Sequence, residues 1–98
     1  EDDKPYMGAP KIVLDGHNYF ATELCIVNEV PERYLYAGEL TDQEKKYAFI
    51  DGSKYYTPNS DGVPEDFYIY QECGTPVSEH EVDNTKRQWA YVKWRLED

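Results

Sequence analysis

The sequence predicts an all-β domain: a small barrel or sandwich of about seven short, mostly antiparallel strands. Three observations carry that expectation. The 98 residues include ten tyrosines, and aromatics reach 15%; tyrosine and β-branched residues suit a pleated, half-buried surface. The apolar runs are short and are punctuated by Gly, Pro, Asp and Asn at turn spacing. No stretch sustains the apolar stripe of a long helix. A chain of this length forms one domain with one modest core, and its aromatic content sets it apart from disordered sequences.

Residues 1–10 are acidic, contain Pro5, Gly8 and Pro10, and read as an extended arm. Residues 11–98 read as a single β domain. Its first element is the apolar run 11–14, followed by Asp15-Gly16 and a second run from Tyr19 to Leu24, a hairpin signal. A four-residue connection, Asp15 to Asn18, would set Leu14 opposite Tyr19 and Val13 opposite Phe20. A two-residue turn would set Leu14 opposite His17. The longer loop keeps apolar residues opposite apolar residues and is the expected one.

Pro31 makes 25–32 a connection, and 34–40 reads as a strand weakened by Gly38. Thr41-Asp42-Gln43-Glu44 has capping-box spacing, with room for one helical turn. Runs 47–50 and 55–57 flank Asp51-Gly52 and read as a second hairpin. Pro58 to Gly62 is a dense turn cluster. Run 67–72 is a strand with Phe67 and Ile69 on one face and Tyr68 and Tyr70 on the other. Residues 74–88 form the longest stretch without strand character, and Ser78-Glu79-His80-Glu81 has the spacing of a short helix start. In the last strand, 89–96, Ala90, Val92, Trp94 and Leu96 form the core face.

Two segments run in parallel order. Ile12 to Glu39 contains Asp15-Gly16, Tyr19, Val30-Pro31-Glu32 and a closing Glu39. Ala48 to Glu72 contains Asp51-Gly52, Tyr55, Val63-Pro64-Glu65 and a closing Glu72. The matched order points to two hairpin-plus-strand units.

Twenty acidic and ten basic residues give a formal net charge of -10. That balance argues against nucleic acid as a partner, because phosphates are bound by a basic surface. It equally argues against an electrostatic hold on an anionic membrane. The longest apolar run falls far short of the ~20 residues of a spanning helix, so no direct membrane insertion is expected. Cys25 and Cys73 permit one disulfide, with two buried thiols as the alternative.

Chemistry is hard to find. No nucleophile–base motif, phosphate loop or zinc-protease helix occurs, and neither His17 nor His80 sits in a recognisable constellation. Scattered Cys and His do not make a zinc pattern. Glu79-His80-Glu81 with Asp83 and Asn84 is rich in oxygen ligands but lacks calcium-loop spacing. No metal or cofactor is expected, and catalysis is a minor alternative, as a small hydrolase or metal-dependent enzyme. The most suggestive surface is aromatic. Trp89 and Tyr91 alternate with the core residues of the last strand, as Tyr68 and Tyr70 do with Phe67 and Ile69, so all four are candidate ligand-binding residues. Outward rings flanked by charge suit a protein or glycan partner.

The run Lys11-Ile12-Val13-Leu14-Asp15-Gly16-His17-Asn18-Tyr19-Phe20-Ala21-Thr22 resembles the opening of small exported, lipoprotein-type domains of Gram-positive gut bacteria. Those domains carry an apolar-Asp-Gly-x-x-Tyr-Tyr hairpin soon after the mature start. The resemblance covers the first quarter of the chain and implies an extracellular or cell-surface location. No lipobox cysteine stands in this chain, since Cys25 follows the hairpin. The resulting expectation is a small exported β domain with a non-catalytic binding or structural role. Carbohydrate binding through Trp89, Tyr91, Tyr68 and Tyr70 is the first alternative.

Overall fold

The computed structural model describes residues 10–48, 50–58 and 62–97. The predicted arm lies outside those residues except for Pro10, as does the middle of the Pro58–Gly62 turn cluster. Lys11–Leu14 (β1) turns back into His17–Val27 (β2); Tyr34–Glu39 (β3), Lys54–Pro58 (β4), Asp66–Ser78 (β5) and Glu81–Leu96 (β6) follow. They form one sheet in the order β1-β2-β6-β5-β4-β3, antiparallel at every junction and curled into a half-barrel. The fold is all-β, as the strand signals predict. Of the seven expected strands, the run 47–50 shows, among its described residues, a single bridge, Tyr47 against Lys11.

The topology joins a hairpin to a meander. β3 to β6 run up and down in sequence, and β6 then accepts β2 on its free side. The last strand of the chain is therefore interior to the sheet, with β5 on one flank and β2 on the other.

The first turn is tighter than expected. Leu14 lies opposite His17 and Ile12 opposite Tyr19, so Asp15 and Gly16 alone make the connection. Their φ values of 54° and 81° are those of a type I′ turn, whose twist matches that of the strands it joins. Matching apolar to apolar along the strand was the wrong criterion, because only one face is buried. The short turn puts Ile12, Leu14 and Tyr19 on that face together, and all three are buried.

The second Asp-Gly is no hairpin. Residues 40–53 instead cross from β3 to β4 by way of the β1 edge. Thr41 and Glu44 form the expected capping box: the Thr41 N–H donates to Glu44 Oε1 at 2.8 Å and the Glu44 N–H to Thr41 Oγ1 at 3.1 Å. One helical turn follows, with the Lys45 N–H donating to the Thr41 carbonyl. This turn aims two carbonyls at the exposed side of β1. Lys11 N–H donates to Tyr47 O at 3.0 Å and Val13 N–H to Glu44 O at 3.2 Å. A sheet edge left bare would template aggregation; here the crossing segment covers it. At the other edge, β3 carries a bulge between Tyr36 and Gly38, and Gly38 has φ 138°, a distortion that also discourages strand addition.

Gly52 sits inside the crossing segment and is buried. A Cβ there would lie 1.8 Å from the Tyr70 carbonyl oxygen, so Asp51-Gly52 serves close approach where Asp15-Gly16 serves a turn. The two segments with matching motif order are therefore built differently.

Residues 74–88 are the largest departure from expectation. They are the outer half of a long hairpin, with Ser78 opposite Glu81 and only Glu79-His80 between; the predicted short helix at 78–81 is this two-residue turn. Irregularities hid the strands. Gly74 faces Arg87 but Thr75 faces Asp83, so residues 84–86 bulge from β6. The bulge is tied down by the Thr75 hydroxyl donating to the Lys86 carbonyl at 2.8 Å and the Thr85 N–H donating to Asp83 Oδ1 at 3.0 Å. The Thr85 hydroxyl also donates to Asp83 Oδ1, and this bond, then that from the Thr85 N–H, holds the Asp83 carboxyl below its usual range. A similar expansion at 23–25 separates Thr22, opposite Lys93, from Ile26, opposite Val92.

The core lies on the inner face, between the sheet and the crossing segment. Ile12, Leu14, Tyr19, Phe67, Ile69, Ala90, Val92 and Trp94 supply the sheet side, and Leu40 and Ala48 the crossing side. Leu96 packs against it from partial burial, so the predicted core face of the last strand holds. One polar side chain is buried there. Gln71 accepts a hydrogen bond from Trp94 Nε1 at 2.9 Å, and no described buried side-chain N or O lacks a partner.

Cys25 and Cys73 are free thiols; the candidate disulfide does not form. Cys73 belongs to the inner-face core, whereas Cys25 lies in the 23–25 expansion, close enough to act electrostatically on the outer-face Tyr68. The sheet stands between them. Burial pushes the Cys73 thiol pKa up, keeping it protonated and inert.

Candidate functional site: an aromatic outer face

Strand alternation sends every second residue to the outer face. On β5 these are Asp66, Tyr68, Tyr70 and Glu72; on β6 their cross-strand partners are Arg95, Lys93, Tyr91 and Trp89. On β4 Tyr56 lies beside Tyr68, and on β3 Tyr36 lies beside Tyr56. Antiparallel pairing thus gathers rings from four strands.

They form a continuous band. Ring centroids are 5.5 Å apart for Tyr36 and Tyr56, 5.4 Å for Tyr56 and Tyr91, 4.9 Å for Tyr91 and Tyr70, and 5.4 Å for Tyr70 and Trp89. The contacts are edge-to-face or tilted, the arrangements that the ring quadrupole favours. Each ring is braced by its neighbours, so the band is pre-organised. Its two ends and one ring between them reach solvent: Tyr36 is 55% exposed, Trp89 46% and Tyr70 37%.

Of the four candidate residues, the structure places Trp89 and Tyr70 side by side on one open surface and sets Tyr91 half-buried behind them. Tyr68 is on the same face but only 5% exposed. The Tyr34 ring stands edge-on to it at 4.8 Å, and the Lys93 ammonium lies 5.8 Å from its centroid. Tyr68 is therefore support, not contact surface. Tyr36 and Tyr56 were missed. Alternation within 34–40 would have put Tyr34 and Tyr36 on one face, but only the sheet order makes β3 a neighbour of β4.

A second cluster anchors the band. The Tyr34 hydroxyl donates to Asp66 Oδ1, Arg33 Nη2 donates to the Tyr34 oxygen at 3.1 Å, and Lys93 Nζ lies 3.8 Å from Asp66 Oδ2. Burial, followed by the Asp66 hydrogen bond, drives the Tyr34 phenol well above its ordinary pKa. Burial also raises Tyr68 and Tyr91, the latter helped by the adjoining Tyr56. These phenols stay neutral donors through the physiological range. Around the band stand four bases (Arg33, Lys54, Lys93, Arg95) and four acids (Glu29, Glu39, Asp66, Glu72), a balance unlike that of the chain as a whole.

The histidines stand apart from this surface. His80 occupies the tip of the β5–β6 hairpin, its Nε2 3.9 Å from Glu79 with both side chains in solvent. His17 begins β2 opposite Leu14. Among the described residues, no three of His, Cys, Asp and Glu converge to hold a metal ion. With this geometry in hand, the class the fold defines is an all-β half-barrel with an aromatic outer face. No known protein family, curated protein or solved structure matches the chain.

Proposed function

We propose that this chain is a non-catalytic binding module whose working surface is the outer aromatic face. The observation that carries the reading is the braced band from Tyr36 to Trp89, with rings open to solvent in a domain whose core is satisfied elsewhere. Rigid aromatic surface binds with little loss of side-chain entropy, which is why such rings anchor recognition sites. A location outside the cytoplasm, at a bacterial cell surface, rests on the resemblance of residues 11–22 alone.

A carbohydrate ligand is favoured among partners by one specific feature. Trp89 and Tyr70 are adjacent, exposed and tilted by 37°, and a pair of exposed rings is the surface on which the C–H face of a pyranose stacks. The balanced charge around them suits a neutral glycan. The test is retention on neutral polysaccharides in affinity electrophoresis, with a glycan array to widen the search. Trp89→Ala and Tyr70→Ala should each weaken binding by about tenfold, with unchanged circular dichroism, while Trp89→Phe retains most of it. Binding indifferent to both alanine variants would exclude this face as the glycan site.

A further inference from the structure

The outer band links three exposed rings through two half-buried ones, and that continuity bears on redox chemistry as well as on binding. Trp89, Tyr70, Tyr91, Tyr56 and Tyr36 follow one another with no centroid separation above 5.5 Å. Indole and phenol are the rings most readily oxidised by one electron, and rings in contact pass the resulting hole between them. The Tyr56 and Tyr91 side chains also share a hydrogen bond, so a proton can shift as the electron does.

The two ends of the band differ. Trp89 is 46% exposed and open to an oxidant in solution, whereas Trp94 is fully buried. An indolyl radical takes an electron and a proton from tyrosine, which restores the indole and leaves a phenoxyl radical. At the far end Tyr36 is 55% exposed and stands on the edge strand β3, whereas Tyr70 has a ring on each side. A phenoxyl at Tyr36 can therefore meet another copy. Two such radicals couple through ring carbons ortho to oxygen: one C–C bond forms, and the hydrogen on each joined carbon moves to its oxygen. Each chain has then given one electron and one proton to the oxidant. We propose that the band relays one-electron oxidation from Trp89 to Tyr36 and makes Tyr36 a site of covalent tyrosine–tyrosine coupling between two copies of this chain. The co-reactant is a one-electron oxidant of the radical class.

Tyr47 provides the internal comparison. It is 47% exposed but lies against the β1 edge, at the opposite side of the sheet from β3. The Lys11 and Lys46 ammonium groups lie 5.0 and 5.5 Å from its ring centre, where positive charge opposes removal of an electron. Azide radicals from pulse radiolysis supply the test, since at neutral pH they attack indole in preference to phenol. The background is Tyr6→Phe, which removes the one tyrosine outside the described residues. Indolyl absorbance should decay with matching growth of phenoxyl absorbance, at a rate independent of protein concentration. Peptide mapping should find the Tyr36–Tyr36 link well ahead of any link through Tyr47. Tyr56→Phe and Tyr91→Phe keep a ring in place but interrupt the relay. Each should still form phenoxyl at Tyr70 yet lose the Tyr36 link, with unchanged circular dichroism, and Trp89→Phe should lose both. Three results overturn the proposal: indolyl decay that scales with protein concentration, a Tyr36 link undiminished in either folded interrupting variant, or Tyr47 linked as often as Tyr36. Glycan binding is assayed without oxidant and is untouched by any of them.

Discussion

The indole N–H of Trp94 donates to the side-chain oxygen of Gln71 at 2.9 Å, wholly inside the inner face. Trp94 is fully buried, and Gln71 is the one described polar side chain in that core. The bond ties neighbouring strands β5 and β6 two same-face positions off their direct pairing, where Gln71 faces Ala90 and Phe67 faces Trp94. Burying a large amphipathic ring demands a partner for its N–H. Gln71→Leu should therefore cost about 2 kcal/mol, since the indole donor is left unsatisfied. Trp94→Phe in the same chain should recover part of that loss. Urea unfolding of the two single variants and the double variant measures the coupling, and strict additivity would mean that the bond contributes nothing of its own.

Gly52 and the Tyr70 carbonyl set a second limit. A methyl group cannot occupy a point 1.8 Å from a backbone oxygen, so Gly52→Ala should shift the crossing segment and destabilise the protein by about 3 kcal/mol or more. At Gly16 nothing lies within 4 Å of the added carbon, but φ is 81°. Gly16→Ala should accordingly cost only about 1–2 kcal/mol, all of it backbone strain. Thermal unfolding of both variants separates crowding from strain, and equal losses would contradict that assignment.

The capping box at Thr41 and Glu44 protects an edge as well as a turn. Thr41→Ala should cost about 1 kcal/mol. Because Glu44 and Tyr47 supply the carbonyls that cover β1, the variant should also speed hydrogen exchange at Lys11 and Val13. Unchanged protection at those two amides would show that the crossing segment holds without its cap.

The buried phenols predict an alkaline limit to stability. Tyr34, Tyr55, Tyr68 and Tyr91 all have pKa values raised by burial above the ordinary tyrosine value. A raised folded pKa contributes stability that is fully present below the unfolded value of about 10 and is lost as pH climbs through the folded values. The melting temperature should hold to about pH 10 and fall above it. Tyr34→Phe should lower stability at neutral pH by about 1.5 kcal/mol, through the lost bond to Asp66, yet flatten the decline above pH 10. Parallel curves for the two proteins would remove Tyr34 as a contributor.

What the residues determine unaided is the material of the sheet. Alternation identified Ala90, Val92 and Trp94 as core and turned Trp89 and Tyr70 outward, because a pleated strand separates its neighbours whatever the partner. Turn chemistry located Asp15-Gly16, and spacing located the Thr41–Glu44 cap, because both act over a few residues. Tertiary structure decided everything that depends on which strand meets which. It gave the same dipeptide two roles, a turn at 15–16 and a close approach at 51–52, since backbone neighbours from elsewhere in the chain set that difference. It drew 74–88 into strands whose bulges break the period that a sequence pattern needs. It also carried β4 beside β5 and β3 beside β4, so that Tyr36 and Tyr56 completed a band that no local spacing could have announced.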